Sequence, residues 1–494
     1  MSAEAAPSLP KKLAGYDFYR EVLGSPKYIV APMVDQSELA FRRLCRRYGA
    51  QLVYTPMIHA RLFADPNKKY RNQFFDVYSA EEGAPATDRP LIVQFCANDP
   101  EYLLTSAKVV ENHCDAVDIN LGCPQDIARR GGYGAFLQDD WDLIFKLINT
   151  LHKNLAVPVT AKFRVFPSVE KTVQYAQMLE RAGAQILTCH GRVREQRGHN
   201  AGLASFEHIR AVKQNVSVPV FANGNILFQE DIEACLRETG CDGVMSAEGV
   251  LYNPALFAGL SSCPIPSTSA SNNGLAPLDT PIASSSESPG ADIDADTDAS
   301  LLSRHPPHAT IALEYLSIVQ SLHTATSASA VKGHLFKILR PALVRHLDLR
   351  ERLGRVRVDQ QRRGKERAVG EPFWAKGLEP YVAIVTEMSE RLARDAESEL
   401  AGGGEETKRK NVGELVRAQE GTGLKLLPWW LAQPYWRPLP TELPEETKVA
   451  STTKKRPHPV ARGSPPADGD ALESGPGKKP KVEEVVGETV VCAS

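Results

Sequence analysis

"AVDINLGCPQ", Ala116 to Gln125, is the stretch from which the fold is read. Val117, Ile119 and Leu121 alternate with polar neighbours, the period-2 pattern of a strand, and Gly122 and Pro124 end it. Cys123 therefore stands one step beyond the strand, on its lip. A free cysteine there is either a small hydrophobe filling a gap or a working thiol, and this stretch alone leaves both readings open. The same pattern recurs on either side. "YIVAPM", "QLVYTPM", "LIVQFCA", "VTAKFR", "ILTCHGR", "PVFANGN" and "GVMSAEG" are further short apolar runs between Tyr28 and Gly249, and the stretches between them mostly read as helix. "SELAFRRLCRRYGA" and "SVEKTVQYAQMLERAGA" are amphipathic with a glycine near the end. Strands alternating with helices in this way predict an α/β fold, a (β/α)8 TIM barrel, rather than a doubly wound sheet. No GxGxxG turn supports a Rossmann domain, and "GGYG" at Gly131 to Gly134 reads as a loop needing positive φ.

Met33, Gln94, Asn120, Lys162, Arg164, His190, Arg192 and Asn223 all fall at or just past the C-terminal ends of these runs. In a barrel that end carries the active site. A polar side chain inside a barrel costs free energy unless paired, so residues without a role would scatter over both ends. His190 alone would read as a satisfied core histidine. Its convergence with Gln, Lys, Arg and Asn on one rim points to a site, and Cys123 belongs to that rim.

Composition divides the 494 residues further. We read an N-terminal extension over 1–25, the barrel over 26–260, and a Ser/Pro/Asp-rich linker over 261–308 that is too poor in apolar residues to fold. A helical domain follows over 309–396, where "VKGHLFKILRPALVRHL" is interrupted by Pro341. An extension over 397–442 contains "LKLLPWWLAQPYWRPLP", whose Trp429, Trp430, Tyr435 and Trp436 are expected to pack back on the barrel. The tail, 443–494, is expected to be disordered. Hydrophobic content of 42% and a net charge of −2 are ordinary for a globular protein. The nine cysteines show no CxxC pair and no zinc spacing, which suits a reducing compartment and predicts no metal. The N-terminus has no apolar h-region and no long apolar run occurs, so neither a signal peptide nor a membrane span is expected. A basic series runs through Arg340, Arg345, Arg350, Arg352, Arg355, Arg357, Arg362, Arg363, Lys365 and Arg367. Such a series is either a solvated helix face or a grip on nucleic acid. "KKRP" at Lys454 and "GKKPK" at Gly477 fit a nuclear import signal, so a cytoplasmic or nuclear location, or both, is expected, with a monomer as the expected state.

"APMVD", "QFCANDP", "DINLGCPQ", "AKFR", "TCHGR" and "FANGNI", in this order between Tyr28 and Phe257, resemble the tRNA-dihydrouridine synthases. "CANDP", "MSAEGVLYNP" and "QPYWRPLP" are similar to the eukaryotic branch that acts on D-loop positions 16 and 17. The resemblance implies an FMN-dependent oxidoreductase that takes a hydride from NADPH (or NADH) and reduces the C5–C6 double bond of a tRNA uridine. It implies that Pro32, Met33 and Val34 pack on the flavin ring, that Gln94 hydrogen-bonds its polar edge and that Lys162 offsets the charge of the reduced ring. His190 would reach the ribityl or phosphate side. Asn223, Gly224, Asn225, Ala247 and Glu248 would line the phosphate turns. Bacterial members usually carry Gly-Arg-Gly where this chain has Ala247-Glu248-Gly249, so any contact there is expected from backbone amides. Asn120, Arg164 and Arg192 would hold the substrate, and Cys123 would donate a proton to C5, since an ordinary thiol is mostly protonated at neutral pH. Arg352, Arg355 and Arg357 would bind tRNA phosphates, with Lys68, Lys69 and Arg71 as weaker candidates. Two rivals stay open: a flavin barrel acting on a free pyrimidine, as dihydroorotate dehydrogenases do, and a tRNA-binding barrel without chemistry. The basic helical half argues against the first, and the complete set of expected residues argues against the second.

Overall fold

The computed structural model describes residues 12–198, 201–260, 298–366, 368–401, 409–418 and 425–435. The strands of its barrel are β1 (Tyr28–Val30), β2 (Leu52–Tyr54), β3 (Ile58–His59), β4 (Leu91–Cys96), β5 (Ala116–Leu121), β6 (Val159–Arg164), β7 (Ala184–His190), β8 (Val220–Asn223) and β9 (Gly243–Ser246). All pair in parallel. β1 lies between β2 and β9, β2 continues to β4, and the pairing runs in order from β4 to β9, so the sheet closes on itself. The two-residue β3 is stitched onto the C-terminal end of β4. Every expected run is a strand. A closed barrel buries both faces of a strand, and all six residues of β5 are buried. The alternation in "AVDINL" therefore separates two buried environments. Val117, Ile119 and Leu121 join the hydrophobic core, while Asp118 and Asn120 share the opposite face.

The helices between strands follow their sequence signals. Val169–Ala182 starts on Ser168, whose hydroxyl accepts the Lys171 amide at 3.1 Å, and ends on Gly183 at φ +117°, a conformation open mainly to glycine. Beyond the barrel lie the helices His308–Ser321, Ala328–Ile338, Arg340–Arg345, Leu347–Arg355, Gln360–Glu366 and Glu379–Ala401. Pro341 stands in the first turn of Arg340–Arg345, where its missing N–H is of no consequence. This helical unit docks on the barrel next to Leu39–Arg47. Phe41 stacks on the His334 ring with centroids 4.2 Å apart, and Glu38 accepts from Tyr315 at 2.7 Å and from His334 at 3.0 Å.

Two expectations need correction. Part of the linker assigned to 261–308 folds: Asp298–Arg304 is a helix with Leu301 buried, and the Asp298 carboxylate accepts the amides of Val412 and Gly413. Its partners lie more than a hundred residues downstream, which local composition cannot register. The tryptophan segment does fold back, but chiefly onto the helical unit. His308 donates to the carbonyls of Trp430 and Trp429, and the guanidiniums of Arg345 and Arg340 lie over Trp429 and Tyr435 at 4.3 and 3.7 Å from the ring centroids. Tyr435 also meets Tyr252 of the barrel at 5.6 Å. Residues 261–297, Trp436, the tail and Arg367 lie outside the described residues.

Candidate active site

Strand register sets the rim. Asn120 pairs with Lys162 across β5 and β6, Arg164 with His190 across β6 and β7, and His190 with Asn223 across β7 and β8. The expected residues thus form consecutive rungs at one end of the barrel. All are buried, with Lys162, Arg164, His190 and Asn223 each 2% exposed.

A directional chain of hydrogen bonds runs beneath this rim. Thr160 donates to Asp118 Oδ1 at 2.6 Å and Gln94 Nε2 donates to Asp118 Oδ2 at 2.8 Å. Gln94 Oε1 accepts from Asn120 Nδ2 at 2.9 Å, and Asn120 Oδ1 accepts the amides of Gly122 at 3.1 Å and Cys123 at 2.9 Å. That last pair is an Asx-type turn, and it holds the backbone at the cysteine. From the other side Arg164 Nε donates to the Gly122 carbonyl at 2.8 Å. Gly134, at φ +66°, lays the following loop over the cysteine, so that Ala135 N donates to the Cys123 carbonyl at 3.0 Å. A Cβ on Gly134 would lie 2.7 Å from that oxygen. Cys123 is 6% exposed and packs with Cys96, Ala128 and Tyr133.

Electrostatics distinguish the buried groups. Burial, assisted by the nearby Arg164, pushes Lys162 down to about 7, against the opposing pull of Asp118. Burial pushes Asp118 up to about 6, against its hydrogen bonds from Thr160 and Gln94. His190 is driven well below the ordinary histidine range, by burial first and then by the positive charges of Arg164 and Arg192, so its ring is neutral. Arg192 Nη1 lies 3.0 Å from His190 Nε2, and an arginine can only donate. The ring proton is thereby assigned to Nδ1, which is buried without a partner among the described residues. Asn223 Nδ2 donates to the Met245 carbonyl at 2.9 Å, which leaves Asn223 Oδ1 equally unpartnered.

One orphan donor, one orphan acceptor and a buried ammonium at a barrel mouth fit the polar parts of a bound anionic cofactor, since buried polar atoms ordinarily find partners. The turn after β8 adds backbone. Gly224 sits at φ +115°, where a Cβ would lie 2.6 Å from Ala204 Cβ, and Asn225 is at φ +62°. Ala247 and Glu248 open the short helix Glu248–Tyr252, and a Cβ on Gly249 would lie 2.5 Å from the Ile226 carbonyl. The two turns expected at a phosphate are thus adjacent.

Other expected residues are placed differently. Met33 is buried and its amide donates to Ser37 Oγ at 2.9 Å, while Val34 is 39% exposed beside Pro32. Asn120 and Gln94, read as ligands of uracil and flavin, spend their side chains on the relay. Arg164 also donates to the carbonyls of Val193 and Gln196, and Arg192 to Gly202 O and Asn225 Oδ1. Both arginines read as substrate contacts therefore brace loops. Arg352 pairs with Glu387 at 2.6 Å, Arg355 pairs with Glu351, and Arg357 donates to the Gly354 carbonyl at 3.0 Å; all three are exposed. Arg363, also in the basic series, is buried and bonds Phe373 O and Glu371, so it is structural. Sequence reasoning missed Asp118 and Thr160, although the two-residue spacing of Asp118 and Asn120 put them on one face. In the helical unit, burial pushes Lys337 down to about 8 against the pull of Glu38 and then Glu248.

The family described as "Dihydrouridine synthase (Dus)" matches residues 29–274. The chain is 41% identical over 86% of its length to the tRNA-dihydrouridine(16/17) synthase [NAD(P)(+)] of Schizosaccharomyces pombe, covering 91% of that protein. It is 44% identical to the Saccharomyces cerevisiae protein of the same name, covering 87% of each chain. A Mus musculus protein named tRNA-dihydrouridine(16/17) synthase [NAD(P)(+)]-like is 48% identical over 70% of this chain and 62% of its own. Among solved structures, a morphinone reductase in complex with tetrahydroNAD aligns with a TM-score of 0.35 at 11% identity over 47% of this chain and 85% of that one, a slight likeness. On the strength of the matching family and these near full-length relatives, the chain belongs to the dihydrouridine synthase family.

Proposed function

We propose that this chain is a tRNA-dihydrouridine synthase that reduces the C5–C6 double bond of uridines 16 and 17 in tRNA with NAD(P)H, through bound FMN. The observation that carries the reading is the assembly, at one barrel mouth, of a buried ammonium, an orphan donor, an orphan acceptor and a braced thiol. It is supported by relatives named for this reaction that match 86 and 87% of the chain. FMN supplies the hydride chemistry when bound.

The chain's own residues divide the remaining work. Lys162, brought near neutrality by burial, takes up a full proton when a negative charge is set beside it, and so favours the more negative form of a bound ring. His190 Nδ1 offers a donor and Asn223 Oδ1 an acceptor to the same ligand. Gly224 and Gly249 let the two turns pack closely, with Arg192 bonded to the first of them, and so gather backbone amides where a phosphate would lie. Cys123, held by Asn120 and Arg164, keeps a proton at Sγ for C5 of the uracil. Arg352, Arg355 and Arg357 lie on an exposed face that suits tRNA phosphates, where their neighbouring glutamates compete for them. The basic clusters at Lys454 and Gly477 support a nuclear pool beside a cytoplasmic one.

The test is direct. Purified protein supplied with FMN, NAD(P)H and unmodified tRNA should place dihydrouridine at positions 16 and 17. Turnover on free uracil or uridine without reaction on tRNA would favour a free-pyrimidine reductase instead.

A further inference from the structure

Asp118 is a buried carboxyl inside the barrel with no place in the chemistry described above, and it holds one end of the relay that reaches Cys123. The order of that relay is informative. Glutamine and asparagine amides have two ends that differ only in donor and acceptor character, so something must dictate which way each one faces. An ionised carboxylate can only accept. Gln94 must then turn its NH2 toward Asp118, at 2.8 Å, and its oxygen toward Asn120, at 2.9 Å. Asn120 must offer its NH2 to that oxygen, and its own oxygen is left for the amides of Gly122 and Cys123. Thr160, directly opposite Asp118 in the β5–β6 register, donates at 2.6 Å and holds the carboxylate in place. With Asn120 reversed, its NH2 would face the backbone N–H groups of the turn; with Gln94 reversed, its NH2 would face that of Asn120 and its oxygen the Asp118 carboxylate.

We infer that Asp118 is the positioning residue for Cys123: its carboxylate orients Gln94 and Asn120 in series and thereby fixes the turn that aims the thiol. The inference rests on the proposed function, because aim matters only if Cys123 delivers a proton. Burying an ionisable group is costly, and this one is surrounded by the groups that direct it. Gln94 comes from β4, Thr160 and Lys162 from β6, and Tyr54 from β2, with Lys162 the cation among them.

Asp118→Asn is close in shape but can present NH2 to Gln94, so it removes the directing signal. In FMN-loaded Asp118→Asn, reduction of the flavin by NADPH should stay within about twofold of wild type. Reoxidation by unmodified tRNA should slow by about tenfold to a hundredfold, a part of the 10²–10⁴ typical of a positioned acid. Hydrogen exchange of the Gly122 and Cys123 amides should accelerate at least tenfold, with exchange in β6 and β8 unchanged. Thr160→Val should give the same selective pattern at smaller size, and decides the matter if Asp118→Asn does not fold. Normal turn exchange together with normal reoxidation in the folded variants would overturn the inference, as would equal slowing of both half-reactions. The exchange readout needs no turnover, so a wild-type flavin that tRNA fails to reoxidise would refute the functional proposal while leaving the relay to be judged by exchange.

Discussion

Replacing Lys162 with methionine should change stability in a way that depends on pH. An ordinary lysine titrates at 10.5, and burial brings Lys162 down to about 7. Holding the ammonium charged in FMN-free protein therefore costs about 5 kcal/mol, at about 1.4 kcal/mol for each tenfold change in proton affinity. Below pH 7 both the folded and unfolded chains carry the charge, and the fold bears the whole cost. Between 7 and 10.5 the unfolded chain binds the proton while the folded chain does not, so stability rises with pH. By the same linkage the penalty is about 5 kcal/mol at pH 6 and about 3 kcal/mol at pH 8.5. Urea denaturation of FMN-free protein should show Lys162→Met more stable than wild type at pH 6. That advantage should shrink by about 2 kcal/mol at pH 8.5. Loss of Lys162, the smallest of the influences on Asp118, pushes that buried carboxyl slightly further up, which reduces the absolute gain but not its direction. With FMN bound the sign reverses in function: the variant should lower the flavin midpoint potential, because the reduced ring loses its cation. A stability difference independent of pH, or a loss at pH 6, would refute the reasoning.

Arg42 is fully buried and pairs with both Asp88 and Glu82 at 2.6 Å, so Arg42→Met leaves two buried carboxylates facing each other. The loss, measured by denaturation, should be about 3–5 kcal/mol. Burial, with Asp88 adding to it, already pushes Glu82 up despite Arg42, so wild-type stability should fall as pH rises above the ordinary glutamate range, and Glu82→Gln should flatten that slope. Replacing Arg352, Arg355 and Arg357 together with alanine should raise the Kd for tRNA and reduce the salt slope by about 2–3, with NADPH reduction of the flavin unchanged; an unaltered slope would assign the face to solvent. Exchanging residues 262–296 for a short Gly/Ser connector should preserve flavin content and turnover, because the segment's sequence is too poor in apolar residues to build a core and loop closure depends only weakly on length.

The barrel was legible because its strands are short apolar runs with polar residues gathered at one end, a pattern that survives without any knowledge of pairing. The helix caps at Ser168 and Gly183 are local chemistry and were equally legible. The relay was not. Asp118 and Thr160 are 42 residues apart and meet only through strand register, which a single sequence does not state. Arg164 and Arg192 read as ligand contacts because one ends its strand at the rim and the other lies two residues past the end of β7. A guanidinium is long enough to turn back on nearby carbonyls, and both do so, at Gly122, Val193, Gln196 and Gly202. The helix Asp298–Arg304 was hidden for a similar reason, since its carboxylate partner amides belong to a segment 114 residues away.

The proposed function turns on Cys123 giving a proton to the uracil. Cys123 is nearly buried beside Cys96, Ala128 and Tyr133, so a packing role and a chemical role both fit its surroundings and only kinetics separates them. The deciding measurement is anaerobic stopped-flow of reduced, FMN-loaded Cys123→Ala against unmodified tRNA. The variant should fold, retain FMN and accept a hydride from NADPH normally. Flavin reoxidation by tRNA should slow by about 10²–10⁴-fold if the thiol is the proton donor. A variant that loses about 1–3 kcal/mol of stability yet reoxidises at the wild-type rate per folded molecule would contradict it.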